Sequence, residues 1–127
     1  MSDKNDQYKK KYLDFAVRMV KLKKFLNEQK HEYIIADQIL RSGTSIGANH
    51  REAMSAESGD DFIHKLAIAQ KECNETMYWL EVLQAAEIIA DEEFNSLYED
   101  AKELLRMLSS AILTVKNAKN ATKSQHS

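Results

Sequence analysis

The sequence predicts an all-α protein, an antiparallel up-down-up-down four-helix bundle. Three observations lead there. Four stretches each place apolar or small residues at alternating steps of four and three, the period of a helix that buries one stripe. The chain of 127 residues has no proline and three glycines, too few breakers for a turn-dense β fold. The breaks between stripes are short, and short connections between long helices make successive neighbours antiparallel. One domain fits this length. The bundle is expected over residues 1–118 and a frayed polar tail over 119–127.

The first stripe is Tyr8, Tyr12, Phe15, Met19, Leu22 and Leu26, closed by a polar break from Asn27 to Glu32. The second is Ile35, Ile39, Ser42, Ile46, Asn49, Ala53 and Ala56, ending near Ser58-Gly59, a combination that suits a helix stop. The third is Phe62, Leu66, Ala69, Cys73, Thr76, Leu80 and Leu83. Gly59 or Asp60 is placed to cap it, and Asp60 and Asp61 suit the positive end of the helix dipole. The fourth is Phe94, Tyr98, Ala101, Leu105, Leu108, Ile112 and Val115, with Asp91, Glu92 and Glu93 loading its first turn. The second and third stripes are short of bulk at Ser42, Asn49, Ala53, Ala69 and Cys73, so those two helices should lie closest together. Gly43 and Gly47 share a face of the second helix, and each costs roughly 1 kcal/mol against Ala. Close approach of another helix is the compensation this predicts.

Several functions find no support in the residues. No run approaches the roughly 20 apolar residues of a membrane span. The N-terminal residues are polar and do not read as a signal peptide. The single cysteine, Cys73, excludes an internal disulfide framework and fits a reducing cytoplasm. It lies on the core stripe and reads as a small buried hydrophobe. Glu28-Gln-Lys-His31 is a Glu-x-x-His spacing, but it sits in a polar break, so no metal and no cofactor is expected. Gly43 to Gly47 lacks the spacing and lysine of a phosphate loop. No nucleophile has a base beside it, so no enzyme is expected.

Two groups of residues do stand out. Arg41, Ser45, Asn49 and Glu52 follow helical steps of four, four and three, opposite Lys71, Glu72 and Glu75 on the next helix. They read as an inter-helix polar network that fixes register; a carboxylate metal or acid-base site is the alternative. Ile68, Trp79 and Val82 form a second apolar set outside the third stripe. They are either the edge of a wide core or a subunit interface, where tryptophan is favoured.

The stretch Gln38-Ile39-Leu40-Arg41-Ser42, Thr44-Ser45-Ile46-Gly47-Ala48-Asn49 and Glu52-Ala53 resembles a family of small bacterial four-helix-bundle proteins. Asp61-Phe62-Ile63, Leu66, Ile68-Ala69, Lys71-Glu72, Glu75-Thr76 and Tyr78-Trp79-Leu80 extend the match. The family includes proteins encoded in intervening sequences of 23S rRNA genes, and the accessory protein of diversity-generating retroelements looks like a relative. The resemblance is specific from Gln38 to Leu83. It implies a homo-oligomeric ring, typically a pentamer, no enzymatic activity and, for some members, nucleic-acid binding. It favours the interface reading of Ile68, Trp79 and Val82.

The net charge of −2 hides segregation: +5 in residues 1–30, −2 in 31–58, −9 in 59–100 and +4 in 101–127. If the first and last helices are neighbours, their positive charge shares one side, with the acidic third helix diagonal to the first. A head-to-tail contact between such sides closes into rings. The expected role is therefore a homo-oligomeric scaffold whose partner is itself. The alternative is an RNA- or DNA-binding protein, at most weak at physiological salt, using Lys9, Lys10, Lys11, Lys21, Lys23, Lys24, Lys116 and Lys119.

Overall fold

The computed structural model describes the backbone of residues 2–126 and the side chains of residues 6–123. It contains α1 (Ser2–Lys30), α2 (Ile34–Ala53), α3 (Gly59–Ala85) and α4 (Asp91–His126), and no strand among the described residues. Successive helices pack side by side and antiparallel, with α2 against α3 the most intimate pair. Of the pairs in contact α1 and α4 touch least, and among the described residues the α1 and α3 backbones do not come together, so these two are diagonal. α4 remains helical well beyond residue 118, although its apolar stripe ends at Val115.

The helix ends differ in instructive ways from the sequence reading. α2 stops at Ala53, before Ala56, and Ser58-Gly59 begins α3 instead of closing α2. Ser58 is the N-cap: its hydroxyl accepts the Asp61 amide at 3.1 Å. Glu32 serves α2 in the same way, with its carboxylate accepting the Ala36 amide at 2.9 Å. At the end of α3, Glu87 is left-handed at φ 60°, its amide reaches the Gln84 carbonyl at 2.9 Å, and the Ile88 amide reaches that of Leu83 at 2.9 Å. This paired closure normally takes glycine at the left-handed position. His31 is also left-handed, at φ 53°, just past α1.

The core comprises Tyr12, Phe15, Met19, Leu22 and Leu26 from α1, Ile39 and Ile46 from α2, Leu66, Leu80 and Leu83 from α3, and Leu97, Leu104 and Leu108 from α4, all buried. On α4 the stripe is rotated from the expected one. Leu97 and Leu104 are inside, while Phe94, Tyr98 and Leu105 lie half-buried at its edge. α2 buries Ile39, Ser42, Ile46 and Ala53 as expected and adds Ala36, Gly43 and His50, while Ile35, Asn49 and Ala56 of the expected stripe are only half-buried.

The glycines of α2 face α1. A Cβ on Gly43 would lie 2.6 Å from Met19 Sδ, and one on Gly47 would lie 3.1 Å from Tyr12 Cβ. Toward α3 the close approach rests on hydroxyls. Those of Ser42 and Thr76, both fully buried, are 2.9 Å apart, and Thr76 also lies 2.8 Å from the Glu72 carbonyl oxygen. A threonine has one proton to give. Donating it to the carbonyl leaves Thr76 Oγ1 free to accept from Ser42.

Two stability predictions follow from these contacts. Gly43→Ala should lose about 1–2 kcal/mol in chemical denaturation despite its better helix propensity, because Met19 has no room to yield in a filled core. Combining it with Met19→Ala should make the effects non-additive. Glu87→Gly should gain about 1 kcal/mol, since it removes Cβ crowding in the left-handed turn without touching the core.

Candidate functional site

The structure brings only part of the expected network together. Arg41 crosses from α2 to α3, where its guanidinium pairs with Glu72 at 3.1 Å and with Glu75. Trp79 Nε1–H donates to the same Glu75 oxygen at 3.1 Å. The guanidinium hydrogen bond holds the Glu75 carboxyl below the ordinary carboxylate range, against the opposing effect of burial. Arg41 is half exposed, so the cluster orients groups more than it stabilises the fold. Ser45 and Asn49 instead bond within α2: the Ser45 hydroxyl donates to the Arg41 carbonyl at 2.7 Å, and the Asn49 amide to that of Ser45 at 2.9 Å. Both are back-bonds one turn away, available to any helical residue of these types. Glu52 pairs with Lys65 at 3.3 Å, and Lys71 is exposed without an ion pair among the described residues. The hydroxyl pair Ser42–Thr76 is what the sequence reading missed as the buried polar contact between these helices.

Trp79, Ile68 and Val82 are half-buried on α3. Trp79 packs partly on the core, with the exposed Tyr78 ring edge-on at 5.2 Å. A second apolar surface was not singled out from the sequence. Leu13, Val17 and Val20, exposed at 56%, 43% and 54%, form an outward stripe on α1. Their steps of four and three were legible, but the stronger stripe on the opposite face hid them.

The charge distribution is less polar in three dimensions than along the chain. Five of the eleven acids in residues 59–100 belong to α4, so α3 itself holds only five acids against two lysines. The acidic first half of α4 faces α1. Arg18 pairs with Asp100 at 2.5 Å and reaches Glu93 at 3.9 Å, while Lys11 pairs with Glu103 at 2.7 Å. Of the other candidate lysines, Lys10 pairs with Asp14, Lys23 with Asp37 and Lys119 with Asp60. Among the described residues, Lys9, Lys21, Lys24 and Lys116 make no ion pair, and the first three flank the outward apolar stripe of α1.

Beneath α1 lies a constellation that local sequence could not show. Tyr12 presses on Gly47, and its ring stacks on that of His50 at 4.1 Å and 24°. His50 is 9% exposed and Tyr12 5%. Burial holds the His50 imidazole down at about 4, with Lys9 and Arg51 adding to the effect; burial also pushes the Tyr12 phenol far above its ordinary range. The Cys73 thiol donates to the Ala101 carbonyl at 3.2 Å and is pushed up by burial to about 12, which leaves it inert at neutral pH. Among the described residues no three His, Cys, Asp or Glu side chains gather as metal ligands, and no helix is long and apolar enough to cross a membrane.

Comparison with known proteins decides the family. Residues 4–110 match the model of the 23S rRNA-intervening sequence proteins. The chain belongs to this family. Among solved structures, a protein of unknown function from the S23 ribosomal protein family of Bacteroides thetaiotaomicron is 53% identical, with a TM-score of 0.82 over 83% of this chain and 97% of that one. No curated protein matches. For the 23S rRNA-intervening sequence family the bundle is thus the shared frame, and the match reaches well beyond Gln38–Leu83 at both ends.

The neutral, buried His50 makes the bundle sensitive to acid. Its folded value, about 4, lies below the ordinary 6.5 of an unfolded chain. The unfolded state therefore binds the proton first as pH falls. Stability is complete above pH 6.5 and should drop by about 2–3 kcal/mol as pH falls to 4. His50→Phe, which keeps a ring on Tyr12, should flatten that part of the denaturation profile.

Proposed function

We propose that this 23S rRNA-intervening sequence protein is a non-enzymatic assembly protein that works in the cytoplasm as a closed homo-oligomeric ring. The observation that supports the reading most is the pair of apolar surfaces on diagonal helices: Leu13, Val17 and Val20 on α1, and Trp79 with Ile68 and Val82 on α3. Different surfaces that meet head-to-tail close into rings, whereas a twofold dimer pairs a surface with itself. The Glu75 bond fixes the indole and so reduces the ordering cost of docking it. Intramolecular pairing of α1 with α4 removes much of the charge asymmetry, so apolar burial, not charge, has to supply the affinity. Five subunits is the number that the family resemblance implies.

A second reading has its own observation. Among the described residues Lys9, Lys21 and Lys24 make no ion pair on one side of α1 and could contact phosphates of RNA, the natural first ligand to try in a family named for 23S rRNA. Such binding would weaken steeply with salt.

Light scattering coupled to size exclusion should give a multiple of the 14.6 kDa chain mass, five-fold on this proposal. Trp79→Ala should weaken assembly at least tenfold, the scale of an interface anchor, and Val17→Asp should dissolve it with helix content retained. A monomer at micromolar concentration would sink the proposal, and a stable dimer its head-to-tail geometry.

A further inference from the structure

Two grooves open beside the Tyr12–His50 stack. One, of about 810 Å³, follows the α1–α2 seam around the end of α2 to the start of α3; the other, of about 540 Å³, lies between α1 and α4. Both rings line both grooves. Each residue is more than nine-tenths buried, yet neither side chain has a hydrogen-bond partner among the described residues. Among the described residues the one fully enclosed polar side-chain atom without a partner is Asn27 Oδ1, so the polar atoms of Tyr12 and His50 open to the grooves. Buried polar groups normally find partners, and these two present donor and acceptor capacity to whatever enters.

Charges of both signs line the larger groove. Lys9 of α1 and Arg51 of α2 make no ion pair among the described residues, and they are the charged groups whose fields reach His50. Glu52 is already paired with Lys65 of α3. Glu57, from the α2–α3 connection, and Asp61 of α3 also line the groove. On the α4 side Lys11 is paired with Glu103, and Arg106 stands in the smaller groove. Its apolar lining comes from Leu13, Ala16 and Ala48.

We propose that the larger groove is a binding site for a phosphate monoester on an organic body, with Lys9, Arg51 and His50 holding the phosphate. The apolar lining takes the body, and Glu57 and Asp61 accept hydrogen bonds from its hydroxyl or amino groups. The volume suits a ligand the size of a nucleoside monophosphate. Entry of the anion reverses the field at His50. Below the raised midpoint the ring takes a proton from solvent and donates it as a charge-assisted hydrogen bond to a phosphate oxygen. Binding is therefore coupled to proton uptake at one identified side chain. The site shares Leu13 with the apolar stripe of α1, and its test reads ligand binding, not assembly.

The test follows the His50 ring resonances of the full-length protein by NMR during titration with adenosine 5′-monophosphate, adenosine and inorganic phosphate. With adenosine 5′-monophosphate the ring should shift saturably and its titration midpoint should rise by at least one pH unit. Arg51→Gln, at an exposed position, should raise the dissociation constant at least tenfold with the helix content unchanged; Arg106→Gln, in the other groove, should leave it as it was. Inorganic phosphate should bind more weakly, and adenosine should produce no saturable shift. Absence of a saturable shift with the nucleotide, an equal response to adenosine, or binding that survives Arg51→Gln would each overturn the proposal.

Discussion

The position of α1 depends on two missing side chains. Gly43 leaves room for Met19 and Gly47 for Tyr12, so α1 settles into the face of α2 instead of riding over it. A helix accepts two interior glycines only where the contact they permit offsets their cost. Here the contact does more than fill space. Once Tyr12 is seated on Gly47, its ring lies over the next turn of α2, where it stacks on His50. The same seating carries the outer face of α1, with its apolar stripe and unpaired lysines, away from the core. On the opposite side of α2 the hydroxyls of Ser42 and Thr76 permit a similar closeness to α3. α2 is therefore the centre of the packing, gripped on one side by absent atoms and on the other by a buried hydrogen bond.

The seam between α1 and α4 follows different rules. It is crossed by long charged side chains, Arg18 to Asp100 and Lys11 to Glu103, over cavities of about 540, 210 and 400 Å³. Half-exposed ion pairs add little stability, but they do set direction. They match the basic helix to the acidic first half of the last one and reject parallel or shifted arrangements by placing like charges together. The bundle is thus closed by packing on one side and by charge registration on the other.

Much of the fold was legible in the chain. The stripes of α1 and α3 name their buried residues almost one for one, because a single face of each is covered over its whole length. The α2–α3 closeness could be read from Ser42, Ala69 and Cys73. On α4, Leu97 and Leu104 were overlooked because Phe94, Tyr98 and Leu105 compete with them at similar spacing; which set turns inward is decided by where α1 and α3 lie. The role of Ser58 was misread because a serine before glycine suits a helix end as well as a start. At the candidate sites, Arg41 with Glu72 and Glu75 was foreseeable from matching positions on two helices. Tyr12 and His50 were not, since His50 lies off the stripe assigned to the second helix and carries no charge that would pair it with a tyrosine. The charge tally misled because it divided the chain at residue 100, inside α4, and credited α3 with acids that belong to α4, two of which, Glu93 and Asp100, reach Arg18 of α1.

The Cys73 thiol has a practical use for experiments on this chain. It is fully enclosed, bonded to the Ala101 carbonyl and too weakly acidic to form thiolate at neutral pH. Maleimide and iodoacetamide reagents need an accessible thiolate, so in the folded protein they will pass it by. A cysteine added on the outer face of α1 or beside Trp79 becomes the one reactive handle, and fluorophores, spin labels or crosslinkers can be installed there without first replacing a residue of the core.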